Sequence, residues 1–239
     1  MLSLLYYIAV VVIALVLYVA SFIALVVCYP FDRKRFVVHR LSKWITDTVF
    51  GLSFIRREVI GAENIDPNAA YVMVLNHNSM ADIISIYNLP LVFKWVSKKE
   101  VYRLPIIGRL LYAHGDIVIN RASTKEAMQL VHNKGMEWLK KGASVSIFPE
   151  GTRSKDRQIH NFKAGAFLLA KDAGVPILPI VLDGTDKMMR KGMFMNWGNK
   201  VTIKVLPPIS AKEVEERSVK EVMAEVREKM VETLAQIRK

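Results

Sequence analysis

The chain has 239 residues, of which 52% are apolar, and 34 basic residues against 22 acidic ones give it a net charge of +12. This length fits one ordinary domain with an appendage, and no repeat, low-complexity tract or linker indicates a second globular domain. The single cysteine, Cys28, excludes an internal disulfide. The positive charge suits nucleic acid, an anionic membrane surface or an acidic substrate.

The N-terminal run is the most apolar part of the chain. No Asp, Glu, Lys or Arg occurs from Met1 to Phe31, and the stretch from Leu2 to Cys28 exceeds the roughly twenty residues that a helix needs to cross a bilayer. A cleaved secretory signal is disfavoured because the N-terminal end is uncharged. A buried core helix of this length would usually carry a polar stripe. We therefore predict a membrane anchor, which favours a membrane surface or an acidic substrate as the target of the positive charge.

A second helix is predicted from Phe36 to Ile55, because apolar residues recur there at steps of three and four. It is too polar to span a bilayer, so it lies in the headgroup layer or packs on the first helix. Short basic flanks stay on the cytoplasmic side of a membrane, which places the following domain in the cytoplasm. We assign residues 1–60 to the membrane-associating segment and residues 61–239 to the globular domain. The basic flank comprises Arg33, Lys34, Arg35, Arg40 and Lys43.

Short apolar runs alternate with helix-like stretches beyond residue 61, which is typical of an α/β domain. We predict a mixed, largely parallel sheet flanked by helices. Two of the predicted strands cover residues 71–75 and 143–148, and each is followed directly by a polar motif. Another covers 175–182, where Pro176 and Pro179 indicate an edge strand or a bulge. Open α/β sheets usually bind ligands at the carboxyl ends of their strands, where both polar motifs fall.

The first polar motif reads Asn76-His77-Asn78-Ser79-Met80-Ala81-Asp82. A carboxylate on one ring nitrogen of a histidine fixes the tautomer and leaves the other nitrogen free to accept a proton. A turn from strand to helix lets Asp82 fold back under the His77 ring. Ser79 is expected to accept a backbone N–H at the start of that helix, and Asn76 to support the turn. Taken alone, this spacing fits a structural histidine at least as well as a catalytic one.

The second motif reads Phe148-Pro149-Glu150-Gly151-Thr152-Arg153-Ser154. Arginine presents a planar fork that suits a phosphate, and glycine lets the backbone approach a ligand closely. Glu150 is placed to hold the guanidinium or a substrate hydroxyl. An isolated motif of this kind would be a surface turn with an ion pair. A base followed by an anion-binding turn instead outlines an active site.

The ordered motifs resemble the blocks of the glycerolipid acyltransferase family. The His77 motif is similar to the first block, residues 115–121 to the second, Phe148 to Ser154 to the third, and residues 175–179 to the fourth. Val118 and Asn120 depart from residues common in the second block. The resemblance covers about residues 71–181 and implies nothing firm about residues 1–60.

The resemblance implies an enzyme that acylates the sn-2 hydroxyl of 1-acyl-sn-glycerol 3-phosphate (lysophosphatidic acid) and gives phosphatidic acid. His77 would be the base and Asp82 its orienting group. The donor would be acyl-CoA or acyl-carrier protein, with neither metal nor cofactor required. The enzyme would lie in the bacterial cytoplasmic membrane or in the endoplasmic reticulum, with its catalytic domain on the cytoplasmic side. The oligomeric state stays open. The implied substrate-binding residues are Lys98, Arg121, Glu150, Gly151, Thr152 and Arg153.

Three alternatives remain. A related acyltransferase would use glycerol 3-phosphate or another lysophospholipid, and a metallohydrolase would use His77 and Asp82 as ligands. A basic module that binds a membrane or a nucleic acid would explain the charge, but it gives no reason for the order of the motifs. The other histidines have no partner at a persuasive spacing, so surface or capping roles are predicted for them. They are His39, His114, His132 and His160.

Overall fold

The computed structural model describes residues 2–28, 31–104, 107–120, 123–188 and 196–239. These residues form a seven-stranded sheet with helices on both faces, which confirms the predicted α/β class. The strands are β1 (Arg56–Ile60), β2 (Val72–Leu75), β3 (Phe93–Lys98), β4 (Ile117–Ile119), β5 (Ser144–Ile147), β6 (Ile177–Asp183) and β7 (Lys200–Val205).

The spatial order of the strands is β1-β7-β6-β2-β5-β3-β4. Every neighbouring pair is parallel except β6 and β7, so the sheet is mixed and largely parallel, as predicted. Strands β6, β2, β5 and β3 therefore end at the same edge. Each of them carries or is followed by a polar residue of the candidate site. An apolar layer covers each face of the sheet. Side chains alternate along a strand, so successive buried residues pack into opposite layers.

Strand β2 shows this alternation. Val72 and Val74 pack in the layer on one face of the sheet, while Met73 and Leu75 pack in the layer on the other, and all four are fully buried. The helices are α1 (Leu2–Cys28), α2 (Phe36–Leu52), α3 (Ala81–Ser85), α4 (Ile107–His114), α5 (Thr124–Lys140), α6 (Gly165–Ala173), α7 (Ala211–Glu216) and α8 (Val219–Ile237), with short 3₁₀ turns at 62–64, 86–88, 99–103 and 185–187.

Helix α1 is long and apolar enough to cross a membrane, and most of its surface is exposed. It is not isolated from the rest of the chain. The Tyr6 hydroxyl donates to the Val49 carbonyl on α2 at 3.1 Å, and Arg109 on α4 donates to the Tyr18 hydroxyl at 3.0 Å. An exposed apolar helix near the N-terminus supports association with a membrane.

Helix α2 begins at Phe36 as predicted and ends at Leu52, three residues before the predicted end. The chain then enters β1, which pairs with β7 in the common sheet. The proposed division after residue 60 stays a prediction, and β1 lies on its N-terminal side. Ser123 caps helix α5, because its hydroxyl accepts from the Glu126 amide.

Of the two alternatives that the prolines indicate for the strand at 175–182, the edge strand is wrong. Strand β6 lies between β2 and β7, and Pro179 is opposite Val74 of β2. The missing N–H of Pro179 costs no ladder bond because the pairing of β6 with β7 begins one residue later, at Ile180. The Pro179 carbonyl still accepts from Leu206 at 3.0 Å.

Candidate active site

The candidate site lies at the edge of the sheet where parallel strands end. His77 follows β2, Glu150 follows β5, Lys98 closes β3 and Thr185 follows β6. The strands are neighbours in the order β6-β2-β5-β3, so residues distant in sequence meet here. This placement is the usual one for a ligand crevice in an open α/β sheet.

His77 and Asp82 form the predicted pair. The Nδ1 atom of His77 lies 2.8 Å from Oδ2 of Asp82, whose side chain is fully buried, while the His77 side chain is 12% exposed. Asp82 reaches back from the first turn of the short helix α3. Because the carboxylate is the acceptor, Nδ1 is the donor. The lone pair of His77 Nε2 has no partner among the described residues, so it can take a proton.

The Asp82 carboxylate accepts three further hydrogen bonds. Its Oδ2 atom accepts from the amides of Asn78 at 2.7 Å and Ser79 at 2.8 Å, and its Oδ1 atom accepts from the Thr185 hydroxyl at 2.5 Å. A buried carboxylate needs such partners, since each one offsets part of its desolvation cost. The side chain is therefore fixed in the position that orients His77.

An aromatic stack supports the His77 ring from one side. Phe148 lies parallel to it, with ring centroids 3.9 Å apart and planes 11° apart, and Trp95 stacks on the far face of Phe148 at 4.9 Å. The Trp95 amide donates to the buried Asp116 carboxylate at 2.8 Å. The stack restricts rotation of the imidazole and shields one of its faces from water.

Glu150 is nearly buried, and its carboxylate faces backbone amides. One oxygen accepts from the His77 amide at 3.1 Å and the other from the His160 amide at 3.0 Å. Glu150 therefore joins the two predicted motifs, because it fixes the backbone of His77 from the loop that carries Arg153. The expected contact with the Arg153 guanidinium does not occur among the described residues.

Gly151 turns the chain sharply after Glu150, with a φ of +75° that disfavours a side chain. A Cβ atom at this position would lie 2.8 Å from the Nζ atom of Lys163. The Lys163 amide in turn donates to the Pro149 carbonyl at 2.9 Å. Glycine thus lets Lys163 lie directly over the turn.

Asn76 and Ser79 have local structural contacts. The Asn76 side chain is fully buried and makes two bonds to the Leu182 backbone, donating to its carbonyl at 2.9 Å and accepting from its amide at 2.8 Å. It therefore continues the pairing of β2 with β6 past the end of the ladder. The Ser79 hydroxyl accepts from the Ala81 amide at 3.2 Å at the start of α3, as expected for a capping serine.

His77 opens into a cavity of about 980 Å³. Apolar side chains of α1, α2, α3 and α4 line part of it, including Val10, Ile45, Ile83 and Leu111. Three basic side chains at or after strand ends also line it: Lys98, Arg153 and Lys155. Thr152 also faces this cavity, so one space offers both positive charge and apolar surface.

Arg153 is exposed and makes no hydrogen bond or ion pair within the described part of the chain, so its five donors are open to a ligand. Lys98, the last residue of β3, is also exposed. The structure thus brings together all the predicted residues that it describes. Arg121 lies outside the described residues.

Thr185 is the main site residue that the sequence reasoning missed. It is buried, and its hydroxyl completes the hydrogen bonding of Asp82. A signal was available, since Thr185 follows a strand end, as His77 and Glu150 do. Residues at strand ends meet only when their strands are neighbours in the sheet. The motifs alone do not reveal the order of the strands.

A second buried polar network lies behind the Trp95 end of the stack. His114 Nδ1 is 2.7 Å from Asp116, and His114 Nε2 is 3.0 Å from Nδ1 of His39 on α2. The surface or capping roles predicted for His39 and His114 are therefore wrong. Burial lowers the pKa of both histidines, which keeps them neutral near pH 7. Their hydrogen bond fastens α2 to the end of α4 beside the cavity.

Lys94 completes this network. Its fully buried ammonium donates to the His114 carbonyl at 2.7 Å and lies 4.8 Å from the Trp138 ring centroid. Burial lowers the pKa of Lys94 to about 7, and the charge of Asp116 opposes this effect. The predicted surface roles of His132 and His160 agree with their exposed pairs, to Asp172 and Asp156 respectively.

No three His, Cys, Asp or Glu side chains in the described ranges are grouped to hold a metal ion. Both oxygens of Asp82 already accept protein hydrogen bonds. The metallohydrolase alternative therefore has no ligand set in this part of the chain.

Known proteins resemble this chain over most of its length. The family model described as Acyltransferase matches residues 56–183, which span all four motifs. The chain is 31% identical to the 1-acyl-sn-glycerol-3-phosphate acyltransferase of Saccharomyces cerevisiae, over 98% of this chain and 78% of the yeast protein. It is 38% identical to a chloroplastic 1-acyl-sn-glycerol-3-phosphate acyltransferase of Arabidopsis thaliana, over 71% of this chain. The chain belongs to the acyltransferase family.

The fold has a counterpart among solved structures. The crystal structure of the 1-acyl-sn-glycerophosphate (LPA) acyltransferase PlsC from Thermotoga maritima superposes with a TM-score of 0.73, covers 98% of both chains and shares 24% identity. That similarity shows a shared fold. The chain spans about half the length of the chloroplastic relatives that it matches, 48% in the Arabidopsis thaliana protein.

Proposed function

We propose that this protein transfers a fatty acyl group from a thioester donor to the sn-2 hydroxyl of 1-acyl-sn-glycerol 3-phosphate and so forms phosphatidic acid. One observation carries the proposal. The His77–Asp82 pair opens into a single cavity that is lined both by Lys98, Arg153 and Lys155 and by apolar side chains of four helices. A lipid that carries a phosphate fits both linings.

The reaction follows from the hydrogen bonds of the pair. Nε2 of His77 takes the proton of the acceptor hydroxyl while its oxygen attacks the thioester carbonyl carbon. The new C–O bond forms, the C–S bond breaks, and the imidazolium returns the proton to the departing thiolate. Asp82 stabilises the imidazolium through Nδ1. The thioester is already activated, so the scheme needs no metal or nucleotide.

In this proposal the basic residues that line the cavity bind the phosphate of the acceptor. Arg153 presents free donors to the cavity, and Lys98 and Lys155 add positive charge. We also propose a phosphate-binding role for Arg121, because it belongs to the second family motif. The names of the yeast and chloroplastic relatives support lysophosphatidic acid as the acceptor, and the apolar lining favours a lipid acceptor over glycerol 3-phosphate.

A matched pair of variants tests the proposal. The full chain, purified in detergent, is supplied with palmitoyl-CoA or palmitoyl-acyl-carrier protein and with lysophosphatidic acid, glycerol 3-phosphate or lysophosphatidylcholine. We expect phosphatidic acid from the first acceptor and its loss in His77→Ala. His132→Ala is the control, since His132 pairs with Asp172 at 2.9 Å on the exposed surface. Undiminished activity in His77→Ala would refute the assigned base, and preference for another acceptor would refute the substrate.

We further propose that α1 anchors the protein with its catalytic domain on the cytoplasmic side of a bacterial cytoplasmic membrane or of the endoplasmic reticulum. The exposed apolar surface of α1 supports an anchor, and the basic residues after it support this orientation. Detergent, and not high salt, should release the protein from membranes. Release by salt alone would rule out a spanning helix and leave an interfacial one.

A further inference from the structure

Two arginines meet two carboxylates beside the turn that carries Thr185. The Nε atom of Arg238 donates to Oδ1 of Asp183 at 2.8 Å, and another nitrogen of its guanidinium donates to the Arg157 carbonyl at 2.8 Å. The Nε atom of Arg157 forms an ion pair with Asp186 at 2.9 Å. We call these four residues, Arg157, Asp183, Asp186 and Arg238, the arginine clamp.

The clamp holds a turn that has little freedom. Asp183 and Asp186 flank Gly184 and Thr185, and Gly184 has a φ of +85°. A Cβ atom on Gly184 would lie 2.2 Å from the Lys200 carbonyl oxygen, so the turn lies tightly against the start of β7. Thr185 is thereby directed at Asp82, to which its hydroxyl donates at 2.5 Å.

Arg157 has an unusual backbone conformation. Its φ of +65° is in the left-handed region, which long side chains rarely adopt. Its loop also contains Arg153, and its side chain crosses to Asp186 on the turn after β6. A side chain held by an ion pair in this conformation links the proposed phosphate-binding loop to the turn of Thr185.

In the pair of Arg157 and Asp186 the arginine side chain is 39% exposed and the carboxylate 22% exposed. The pair of Asp183 and Arg238 is more buried, with side chains 13% and 23% exposed. Solvent and salt screen such charges less than exposed ones. Since Arg238 directly follows α8, the clamp connects the C-terminal end of the chain to the His77–Asp82 pair through Thr185.

We propose that Arg157 and Arg238 are positioning residues for acyl transfer. They hold the turn from Asp183 to Asp186 so that Thr185 stays bonded to Asp82, which in turn orients His77. This inference rests on the proposed function. A purely structural role, in which Arg238 only fastens α8 to the domain, predicts a different outcome.

A matched arginine separates the two roles. Arg217 lies just before α8 and forms an ion pair with Glu225 on that helix at 2.6 Å, so it stabilises the beginning of α8, at the opposite end of the helix from the turn. Kinetics and thermal unfolding are measured for Arg238→Gln, Arg238→Lys and Arg217→Gln in the full chain. We expect kcat of Arg238→Gln to fall about fivefold to tenfold, with both KM values within about twofold. Arg238→Lys keeps one charged contact and should be intermediate, while Arg217→Gln should lower Tm without lowering kcat.

Hydrogen–deuterium exchange gives a readout that does not depend on the activity. In Arg238→Gln the amides of residues 183–188 and 76–82 should exchange faster, while those of α5 should not change. Equal losses of kcat and Tm in Arg238→Gln and Arg217→Gln, or unchanged exchange at 76–82, would overturn the proposal. Absence of acyl transfer by the unmodified chain would instead overturn the proposed function, and the exchange experiment would still decide on the clamp.

Discussion

Thr185 donates its hydroxyl proton to Oδ1 of Asp82 at 2.5 Å, although 103 positions separate the two residues in the chain. The bond joins the end of β6 to the first turn of α3. It leaves Oδ2 of Asp82 to accept from His77 and from two backbone amides. The orientation of the proposed base therefore depends on a residue that lies outside all of the recognisable sequence motifs.

Thr185→Val removes this donor but keeps the shape of the side chain. We expect kcat to fall about tenfold to a hundredfold, since a hydrogen bond to a charged group is worth about 1.5–3 kcal/mol. Thr185→Ser keeps the hydroxyl and should retain most of the activity. Steady-state kinetics on both variants check this, and a valine variant with kcat within about twofold of the unmodified chain would contradict it.

Asp82→Asn preserves size but removes the carboxylate that holds the Nδ1 proton of His77. We expect kcat to fall about 10³-fold or more, as for other histidine bases that lose their orienting carboxylate. Circular dichroism should show a folded protein. Asp172→Asn, in the exposed pair with His132, is the control and should keep full activity. A loss confined to KM would indicate that Asp82 binds substrate and does not orient the base.

Arg153→Ala should raise the KM for lysophosphatidic acid about tenfold, with kcat nearly unchanged, because one charged contact to phosphate is worth about 1.4 kcal/mol or more. Arg153 makes no hydrogen bond or ion pair within the described ranges, so Tm should stay constant. Kinetics with each substrate varied in turn provide the check. A rise in KM only for the acyl donor would reassign Arg153 to the donor site.

Lys94 predicts a pH dependence of stability. Its pKa is about 7 in the folded chain and about 10.5 in the unfolded chain, where the side chain is solvated. Between these values the unfolded state binds more protons, so the free energy of unfolding rises with pH, by an amount on the order of a few kcal/mol. Below pH 7 Lys94 is charged in both states, so the full cost of burying its charge lowers the free energy of unfolding.

Lys94→Met removes this titration. The free energy of unfolding of the variant, minus that of the unmodified chain, should therefore decrease as the pH rises from about 7 to about 10. Denaturant titrations at several pH values measure the difference. A difference that stays constant over this range would show that Lys94 keeps its ordinary pKa in the folded chain.

Features that depend on residues close together in the sequence were predicted correctly. The spacing of His77 and Asp82 suffices for their hydrogen bond, because a strand, a short turn and one helical turn return the carboxylate to the ring. The apolar run of α1 follows from composition alone. These features depend on residues close together in the sequence, so neither strand order nor register affects them.

Other contacts depend on how distant segments meet. Glu150 was predicted to bind a guanidinium or a hydroxyl, but the structure places its carboxylate against the amides of His77 and His160. His39 and His114 were expected at the surface and form a buried pair across 75 positions. Such partners are set by strand order and helix packing, and one sequence does not reveal either.

The sequence by itself determined the family, the candidate base with its orienting carboxylate, and the apolar N-terminal helix. Each can be read from short runs of neighbouring residues or from the order of those runs along the chain. Only the tertiary structure decided that Thr185 completes Asp82, that Asn76 holds the Leu182 backbone and that cations and apolar helices share one cavity. The physical reason is the parallel pairing of β6, β2, β5 and β3, which brings their carboxyl ends to one edge from four separate parts of the chain.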